Sequence, residues 1–283
     1  MIKMKRMGIL GPRGTHSEAA AVYLNEKLSE PRELVIYQEI YDVINSVEVG
    51  EIDFGFVPVE NSLEGSVNIT LDTLARSDNL IVTRELIWSV HNHLMTKNGV
   101  KVENIKRIYS HSQPISQCRK YLNQHFPKVE ICTTSSTAKA AEIVAESKLE
   151  EGFAAICTER AGQLNGLITI ASEVQDNIFN STRFFEIARR EEQKFEGYQG
   201  KILIICQIFG ERAGALCEVL EEFAFRNVNM TRIESRPART KLGEYIFFFD
   251  LDTDMDAKII DEAIEAVRKK CIWLKNLGTF PVI

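Results

Sequence analysis

The sequence predicts an α/β protein of two lobes, followed by a smaller α+β unit in which the elements run in the order βαββαβ. Two observations predict this class. Short apolar runs alternate with amphipathic stretches over the first two thirds of the chain, and a polar segment at 189–200 separates them from a compact C-terminal region. The length of 283 residues supports two domains, because a domain of about 150 residues is common. We expect the domains at 1–190 and 200–283.

The first series of elements begins near residue 7. Apolar runs predict strands at 8–10, 34–37 and 54–57, and the last of them is expected to end at Pro58. Helical spacing of apolar residues predicts helices at 17–27, 40–49 and 68–76. Because strands that alternate with helices form βαβ units, we expect a mainly parallel sheet.

A second series begins near residue 80. It predicts strands at 80–95, 107–110, 129–133 and 153–157, with helices at 116–126 and 138–147. A further strand begins at about 180. We therefore expect two lobes, 7–77 together with 164–190 and 78–163, with a ligand-binding cleft between them.

The C-terminal region has the ferredoxin-like order of elements. Strands are predicted at 202–209, 228–235, 245–251 and 272–278, and helices at 214–226 and 257–270. A unit of about 80 residues with this order leaves a sheet edge or face open. We therefore expect it to pair with a second copy, as a homodimer or a homotetramer.

Composition excludes several classes of function. With 34 basic and 40 acidic residues, the formal net charge is −6, which gives no electrostatic case for a nucleic-acid or membrane partner. No apolar run approaches the ~20 residues of a membrane-spanning helix, and we identify no export signal. None of the six cysteines forms a Cys-x-x-Cys pair, so we expect free thiols in a reducing cytoplasm and no metal site. His91 and His93 are expected two apart on one strand face, without further ligands.

Four polar loops each join a strand to a helix. They lie at 11–17, 58–67, 110–118 and 134–138, where backbone N–H groups at a helix start attract anions. Together the loops can surround one anionic ligand. A capped turn explains any single loop equally well. Arg183 can clamp a carboxylate, although a surface ion pair is the more common use of such a residue.

Taken together, the segments 11–17, 58–65, 110–118, 180–184 and 234–237 closely resemble the monofunctional prephenate dehydratases. The Thr-Arg-Phe stretch at 182–184 and the Glu-Ser-Arg-Pro stretch at 234–237 carry the resemblance most specifically. The Gly-Ala-Leu motif at 214–216 is similar to that of the regulatory ACT domain of this family. The resemblance implies a two-lobed, periplasmic-binding-protein-like catalytic domain. It implies a lyase without a cofactor that converts prephenate to phenylpyruvate, water and carbon dioxide, under feedback control by L-phenylalanine.

The resemblance also implies roles for individual residues. Thr182 matches the threonine regarded as essential for catalysis, and the same cleft is expected to contain Asn61, Ser110 and Gln117 as catalytic residues. Substrate binding is expected from Thr15, Ser17, Glu60, Ser62, Ser136, Thr137, Arg183 and Phe184. Phenylalanine is expected to bind near Ala213, Gly214, Ala215, Leu216, Asn229, Glu234, Ser235 and Arg236.

Two departures from the family pattern are visible. His16 stands where an aromatic residue is common, and Ser112 stands where proline is common. Because no chorismate mutase segment precedes Gly8, we do not expect the fused bifunctional arrangement. Two rival functions remain open from the sequence. One is a sensor that binds a solute or an amino acid without reacting it. The other is an arogenate dehydratase, whose substrate carries an amino group in place of the keto oxygen.

Overall fold

A computed structural model describes residues 4–192, 200–210 and 212–283. Most of the predicted polar linker lies outside the described residues. The N-terminal region consists of β1 (Arg6–Leu10), α1 (His16–Lys27), β2 (Glu33–Tyr37), α2 (Ile40–Glu48), β3 (Phe54–Asn61), β4 (Gly65–Ser66), α3 (Asn68–Arg76), β5 (Leu80–Ser89), β6 (His93–Thr96), β7 (Arg107–Ser110), α4 (Ser112–Gln117), α5 (Arg119–His125), β8 (Glu130–Thr133), α6 (Thr137–Glu146), β9 (Phe153–Cys157), α7 (Glu159–Leu164), β10 (Ile168–Ala171) and β11 (Ser181–Arg189).

The C-terminal region confirms the predicted βαββαβ order. It consists of β12 (Lys201–Ile208), α8 (Ala215–Ala224), β13 (Met230–Pro237), β14 (Tyr245–Asp252), α9 (Ala257–Arg268) and β15 (Cys271–Phe280). Its strands form an antiparallel sheet in the order β13-β14-β12-β15. One face of the sheet is covered by the two helices. Ile202, Ile204 and Cys206, alternate residues of β12, pack in one core with Phe223 of α8 and Ile264 of α9.

Two sheets organise the N-terminal region. One has the order β2-β1-β3-β11-β5, with β4 paired to β3, and the other has the order β10-β6-β9-β7-β8. The pairs β1/β2, β7/β8 and β7/β9 are parallel, whereas β6 pairs antiparallel with both β9 and β10. The predicted α/β class is confirmed. The second sheet is mixed, with two parallel and two antiparallel pairs of strands.

The chain divides into two compact units. The first comprises Met1–Val43, Phe56–Val67 and Ile87–Phe184, and the second comprises Ile44–Gly55, Asn68–Leu86 and Phe185–Ile283. Helix α3 and most of β5 thus belong to the same unit as the C-terminal domain. Within the first unit, β6 separates two apolar clusters, because Leu94 packs with one and Met95 with the other.

Several predicted boundaries are wrong. The stretch 80–95 forms two strands of different sheets, because the chain leaves β5 after Ser89 and enters β6 at His93. His91 therefore lies outside both strands and does not share a strand face with His93. Strand β3 continues through Pro58 to Asn61, since the fixed φ of proline is compatible with an extended backbone.

The helix predicted at 116–126 is two short helices. Helix α4 begins at Ser112, and Pro114 is tolerated there because the first helical N–H groups have no partner in the helix. Helix α5 follows after Cys118. The sequence analysis missed α7 and β10. None of the helices in the described ranges is both long and apolar enough to cross a bilayer.

Candidate active site

A cavity of about 370 Å³ lies in the first unit, at the ends of several strands. The end of β3 and the segments that follow β1, β7 and β8 contribute to it, together with the start of β11 and the connection between β5 and β6. None of the described residues that line it is Asp, Glu, Lys or Arg. The lining residues are Leu10, Gly11, Pro12, Thr15, His16, Ser17, Pro58, Asn61, Val90, Asn92, His111, Gln113, Pro114, Gln117, Ser135, Ser136, Thr137, Asn180, Thr182 and Phe184.

The loop between β1 and α1 is held by a cap at the start of α1 and by contacts with Thr158 and Ala161. Thr15 caps α1, because its side chain accepts a hydrogen bond from the backbone N–H of Glu18. Gly14 adopts a left-handed φ of 83°, and a Cβ atom there would lie 3.0 Å from the Cα atom of Ala161. The Thr158 hydroxyl donates to the Gly14 carbonyl at 2.6 Å. Glycine suits this position because a side chain would be strained and crowded there. These contacts hold the start of α1 beside the cavity.

A chain of amide hydrogen bonds positions Thr182. Asn61 Nδ2 donates to Thr182 Oγ1 at 2.9 Å and to Asn180 Oδ1 at 2.9 Å. Asn180 Nδ2 in turn donates to Gln117 Oε1 at 3.3 Å. The bond from Asn61 decides whether the Thr182 hydroxyl accepts or donates. Because Thr182 Oγ1 accepts from Asn61, its own O–H is left to donate to a bound ligand.

The orientation of the Asn61 amide is set by the backbone. Its Oδ1 accepts from the N–H groups of Leu63 and Glu64, at 3.0 and 3.1 Å. The Nδ2 group must therefore face β11, where its acceptors lie. A tight turn after β3 thus gives Asn61 a fixed donor rather than a rotating side chain.

His16 is held as a neutral ring. Burial lowers its pKa from 6.5 to about 4, the nearby Asn92 side chain partly opposes this shift, and the charges of His91 and His93 add to it. Trp88 Nε1 lies 3.4 Å from His16 Nδ1. Since an indole N–H only donates, Nδ1 is the acceptor and the ring proton is carried by Nε2.

Two further helices direct groups at the cavity. Ser136 caps α6, and its Oγ accepts from the backbone N–H of Lys139 at 3.0 Å. Thr137, the first residue of α6, also lines the cavity. His111 caps α4 and lines the cavity beside Gln113. The first N–H groups of α1 and α6 give the cavity positive partial charge without a cationic side chain.

The aromatic wall of the cavity is rigid. Phe184 stacks on Phe56 with the ring centroids 4.8 Å apart and the planes within 7°. Both side chains are buried. This wall excludes water from one side of a bound ring.

Eight of the twelve predicted cleft residues line this cavity, namely Thr182, Asn61, Gln117, Thr15, Ser17, Ser136, Thr137 and Phe184. The other four have different positions. Ser110 is fully buried, and its hydroxyl donates to the Ile156 carbonyl at 2.7 Å. The Ser62 hydroxyl accepts from Ser181 N and donates to Phe179 O, so it fixes the start of β11.

Glu60 and Arg183 form an ion pair at 3.7 Å outside the cavity lining. In β11, side chains alternate between the two faces of the sheet, so Arg183 lies on the face opposite its neighbours Thr182 and Phe184. This alternation explains why the expected carboxylate clamp does not line the cavity.

The sequence analysis did not select six polar residues of the lining, and three of them had a readable signal; the six are His16, Asn92, His111, Gln113, Ser135 and Asn180. Asn92 lies in a polar His-Asn-His segment between the apolar residues of β5 and β6, which marks a break between strands. Asn180 directly precedes the Thr-Arg-Phe stretch, and His16 departs from the family pattern. His111 had no comparable signal.

The cysteines take no part in the cavity. All six are free, and four are buried. Burial raises the pKa of Cys118 and that of Cys157 to about 12, so both remain thiols at neutral pH. Among the residues that the structure describes, no three His, Cys, Asp or Glu side chains lie together as a candidate metal site.

A second cavity, of about 590 Å³, lies in the C-terminal domain. It combines apolar side chains with Arg212 and Glu244. Of the eight predicted regulatory residues, Ala215 and Leu216 line it, and Ala213, Gly214, Asn229, Glu234, Ser235 and Arg236 do not. The full lining is Gln207, Ile208, Gly210, Arg212, Ala215, Leu216, Gly243, Glu244, Tyr245, Phe247 and Ile272.

Arg236 contacts α3 of the N-terminal region, within the second unit. Its Nε and Nη2 donate to the two carboxylate oxygens of Asp72 at 3.0 and 3.2 Å, and its Nη1 donates to Asn68 Oδ1 at 2.5 Å. Arg239 also pairs with Asp72, whose side chain is only 4% exposed. The Glu-Ser-Arg-Pro stretch therefore links β13 to α3 through a bidentate ion pair.

Two family profiles match the chain. The prephenate dehydratase profile matches residues 7–192, and the ACT domain profile matches residues 205–269. The first match alone covers more than half of the chain and includes every residue that lines the 370 Å³ cavity.

Curated and solved relatives agree with these matches. A prephenate dehydratase of Methanocaldococcus jannaschii is 34% identical over 271 residues, which is 96% of each chain. A bifunctional chorismate mutase/prephenate dehydratase of Stutzerimonas stutzeri is 37% identical over 278 residues, covering 98% of this chain and 73% of that protein. The crystal structure of prephenate dehydratase from Arthrobacter aurescens in complex with L-Phe superposes with a TM-score of 0.85 and 30% identity, covering 98% of this chain and 90% of that one.

Proposed function

The chain belongs to the prephenate dehydratase family, and we propose that its 370 Å³ cavity is where prephenate loses water and carbon dioxide to give phenylpyruvate. One observation carries this proposal. The hydroxyl of Thr182 accepts from Asn61 and so keeps its own proton for a ligand.

The reaction requires three things of the protein. Prephenate carries two carboxylates, a ring hydroxyl and a ring that is not yet aromatic. The protein must hold the dianion, assist departure of the hydroxyl oxygen and keep water from the carboxylate that leaves. Because aromatisation drives the reaction, no electron sink is needed.

Thr182 assists the departing oxygen. As the ring C–O bond breaks, negative charge develops on that oxygen, and the Thr182 O–H donates a hydrogen bond to it. The C–C bond to the ring carboxylate breaks in the same elimination, and its electron pair enters the ring as carbon dioxide leaves. An alcohol is too weak an acid to surrender its proton alone. The proton that completes the water molecule therefore comes from solvent, with Thr182 as the donor or relay.

The dianion is held by neutral groups. The starts of α1 and α6 present backbone N–H groups, and Gln117 presents an amide donor, to a lining without charged side chains. The stacked pair Phe184 and Phe56 provides the apolar wall beside the ring. Removal of water from the ring carboxylate favours its loss as carbon dioxide.

Incubation with prephenate tests this function. We expect phenylpyruvate and carbon dioxide to appear in equal amounts, at a rate proportional to protein concentration. Boiled protein is the control for spontaneous breakdown of prephenate in acid. Saturable binding of prephenate without phenylpyruvate would instead identify a solute-binding protein and overturn the enzyme assignment.

The C-terminal domain supports feedback regulation by L-phenylalanine. Its 590 Å³ cavity offers Arg212 for a carboxylate, Glu244 for an ammonium group and apolar side chains such as Phe247 for a ring. Regulation requires that phenylalanine bind one conformation better than another. Phenylalanine is expected to lower the rate with prephenate and to raise the melting temperature. If both stay unchanged, the regulatory proposal fails.

We further propose that the C-terminal domains pair into a dimer or a tetramer, with the domain boundary between 190 and 200. The sheet of this domain has β13 and β15 at its edges, and Phe225 is 77% exposed. Light scattering of the full chain tests the assembly, for which a monomer at micromolar concentration would be the contrary result. A cytoplasmic location remains the expectation from the composition.

A further inference from the structure

Three residues that line the catalytic cavity carry side-chain atoms without a hydrogen-bond partner in the described part of the chain. They are His16 at Nε2, Asn92 at both side-chain atoms and Gln117 at Nε2. Asn92 is fully buried, and its amide lies close enough to the His16 ring to raise that ring's pKa, although neither amide atom has a partner at hydrogen-bond geometry among the described residues. Buried polar groups in folded proteins are normally paired, so a cluster of unpaired ones indicates where a ligand completes the hydrogen bonding.

The unpaired atoms are mostly donors. The Trp88 indole occupies Nδ1 of His16, so the neutral ring presents an Nε2–H group. Asn180 occupies the Oε1 atom of Gln117, so that amide presents its Nε2 group. Asn92 adds one further donor group and the single unpaired acceptor. The cluster therefore matches a ligand that brings acceptor oxygens.

The surroundings exclude the opposite kind of ligand. An ammonium group brings donors only and requires acceptors, preferably a carboxylate, once it leaves water. No Asp or Glu is among the described residues that line the cavity. The Nε2–H of His16 would point a donor at the donors of an ammonium group. The side chain of a 2-oxo acid has only acceptor oxygens and avoids this conflict.

We propose that His16 and Asn92 form the subsite for the keto oxygen of a 2-oxo acid side chain, and that this subsite makes the cavity select a 2-oxo acid over the matching 2-amino acid. The inference rests on the proposed function, because prephenate carries such a keto group and arogenate carries an ammonium group at the same place. His16 is thus a specificity-determining residue at a position where the family commonly has an aromatic side chain.

The selectivity is large because the unpaired groups are buried. A site built to hydrogen-bond one polar group rejects an analogue that lacks it by about 10⁴-fold or more when the site's own polar groups are left unpaired. We therefore expect kcat/KM of the unaltered chain to favour prephenate over arogenate by at least about 10²-fold. This minimum is below about 10⁴-fold because water that remains in the subsite would bond some of the unpaired groups.

The experiment compares kcat/KM for both substrates in the unaltered chain, His16→Phe and Asn92→Asp. His16→Phe keeps an aromatic ring and removes the donor. It is expected to lower kcat/KM for prephenate by about tenfold, mainly through KM, and to leave the value for arogenate nearly unchanged. His125→Phe is the matched control, since His125 is an exposed residue of α5 outside the cavity. It should change neither value.

Asn92→Asp keeps nearly the same side-chain shape and replaces the amide with a carboxylate. The new carboxylate accepts from an ammonium group and repels a carboxylate. The preference for prephenate over arogenate should therefore fall by at least about tenfold. Folding of each variant is monitored by a cooperative thermal transition. If His16→Phe does not fold, Asn92→Asp tests the keto-oxygen subsite by itself.

Several outcomes would overturn the subsite. Equal losses for the two substrates in His16→Phe would show that His16 only supports packing. An unchanged preference in Asn92→Asp, or a preference of the unaltered chain for arogenate, would refute the subsite and leave the dehydratase function intact. Turnover of neither substrate by the unaltered chain would refute the dehydratase function, and the subsite with it.

Discussion

The two cavities of this protein differ in the charge of their linings. The cavity of the first unit, about 370 Å³, is lined by neutral side chains and by helix starts. The cavity of the C-terminal domain, about 590 Å³, contains Arg212 and Glu244. A lining without charges suits a dianion with a keto group, whereas a cation and an anion in one cavity suit a zwitterion. If the two cavities hold the ligands proposed above, electrostatics keeps substrate and regulator apart, although both carry a carboxylate and a six-membered ring.

The cavities also differ in how firmly their polar groups are held. In the first, Asn61 is bonded to Thr182, Asn180 and two backbone N–H groups, so its position is fixed before a ligand arrives. In the second, Arg212 is 58% exposed and pairs with Glu218 at 2.6 Å. A fixed donor is what a transition state requires, while an exposed ion pair can open to admit a ligand at small cost.

Removal of the Thr182 hydroxyl is expected to have the largest effect on kcat. Thr182→Ala should lower kcat by about 10²–10⁴-fold, because the departing oxygen loses its donor. Thr182→Ser keeps the hydroxyl and is the control, with most of the activity retained. Steady-state kinetics and thermal melting should show a folded but slow Thr182→Ala enzyme. Full activity of that variant would remove the reason for treating the first cavity as catalytic.

Reversing the hydrogen bond to Thr182 is the next test. In Asn61→Asp the carboxylate accepts from Thr182, so the hydroxyl proton no longer reaches the substrate, and kcat should fall by about 10²-fold. Ser62→Ala, one residue away and outside the cavity, should lower the melting temperature and leave kcat unchanged. If Asn61→Asp is as active as the unaltered chain, the polarity of this hydrogen bond does not matter for the reaction.

The neutral state of His16 is testable by pH. Its pKa is about 4 in the folded protein and 6.5 when unfolded, so below pH 6.5 the unfolded chain takes up the proton first. Folding stability is therefore present in full above pH 6.5 and is lost as pH falls toward 4, by about 3 kcal/mol in total. Denaturant unfolding at pH 7 and pH 4.5 should show a larger loss in the unaltered chain than in His16→Phe, since the lowered pKa of His93 contributes a loss to both. Parallel losses would mean that His16 is not kept neutral.

Binding of phenylalanine in the C-terminal cavity can be tested separately from the inhibition that it causes. Arg212→Gln should weaken phenylalanine binding by about tenfold, because a carboxylate partner is lost. Arg236→Ala should leave binding intact and reduce inhibition by about fivefold or more, because the contact between β13 and α3 is lost. Calorimetry measures binding, and inhibition curves measure coupling. Both variants should keep the kcat of the unaltered chain when phenylalanine is absent. Identical effects of the two changes on binding and inhibition would contradict this division.

The smallest effect is expected at Ser110. Its buried hydroxyl donates to the Ile156 carbonyl, so Ser110→Ala should lower the free energy of unfolding by about 1 kcal/mol. The expected kcat is that of the unaltered chain, since Ser110 does not line the cavity. A large fall in kcat at unchanged stability would return Ser110 to the catalytic residues that the family resemblance implies.

The loops of the catalytic cavity were predictable because each follows a strand. In an α/β sheet the polar residues after neighbouring strands are brought to one edge, so Thr15, Asn61, Gln117 and Ser136 lie around one cavity without being close in sequence. Two of the expected regulatory residues bond to side chains outside the C-terminal cavity. Asn229, just before β13, donates to Asp252, and Arg236 within β13 donates to Asp72 of α3, contacts that no local sequence pattern encodes.

Some errors reflect information that a single sequence does not hold. The apolar stretch 80–95 is compatible with one long strand, and only the positions of two different sheets divide it at Asn92. Helix α7 has only six residues, which is too short for a periodic pattern. Its signal was local, namely the cap formed by Thr158 before Glu159.

The sequence by itself determined the order of elements, the division into an α/β region and a βαββαβ domain, and the motifs that resemble one enzyme family. These depend on local periodicity and on residue types at short spacing. The tertiary structure alone decided which of those residues share a cavity, which hydroxyl keeps its proton, and that His16 Nε2 and the Asn92 amide are buried beside the site without a hydrogen-bond partner among the described residues. Such properties depend on hydrogen bonds between residues far apart in the chain, whose direction and burial no local pattern encodes.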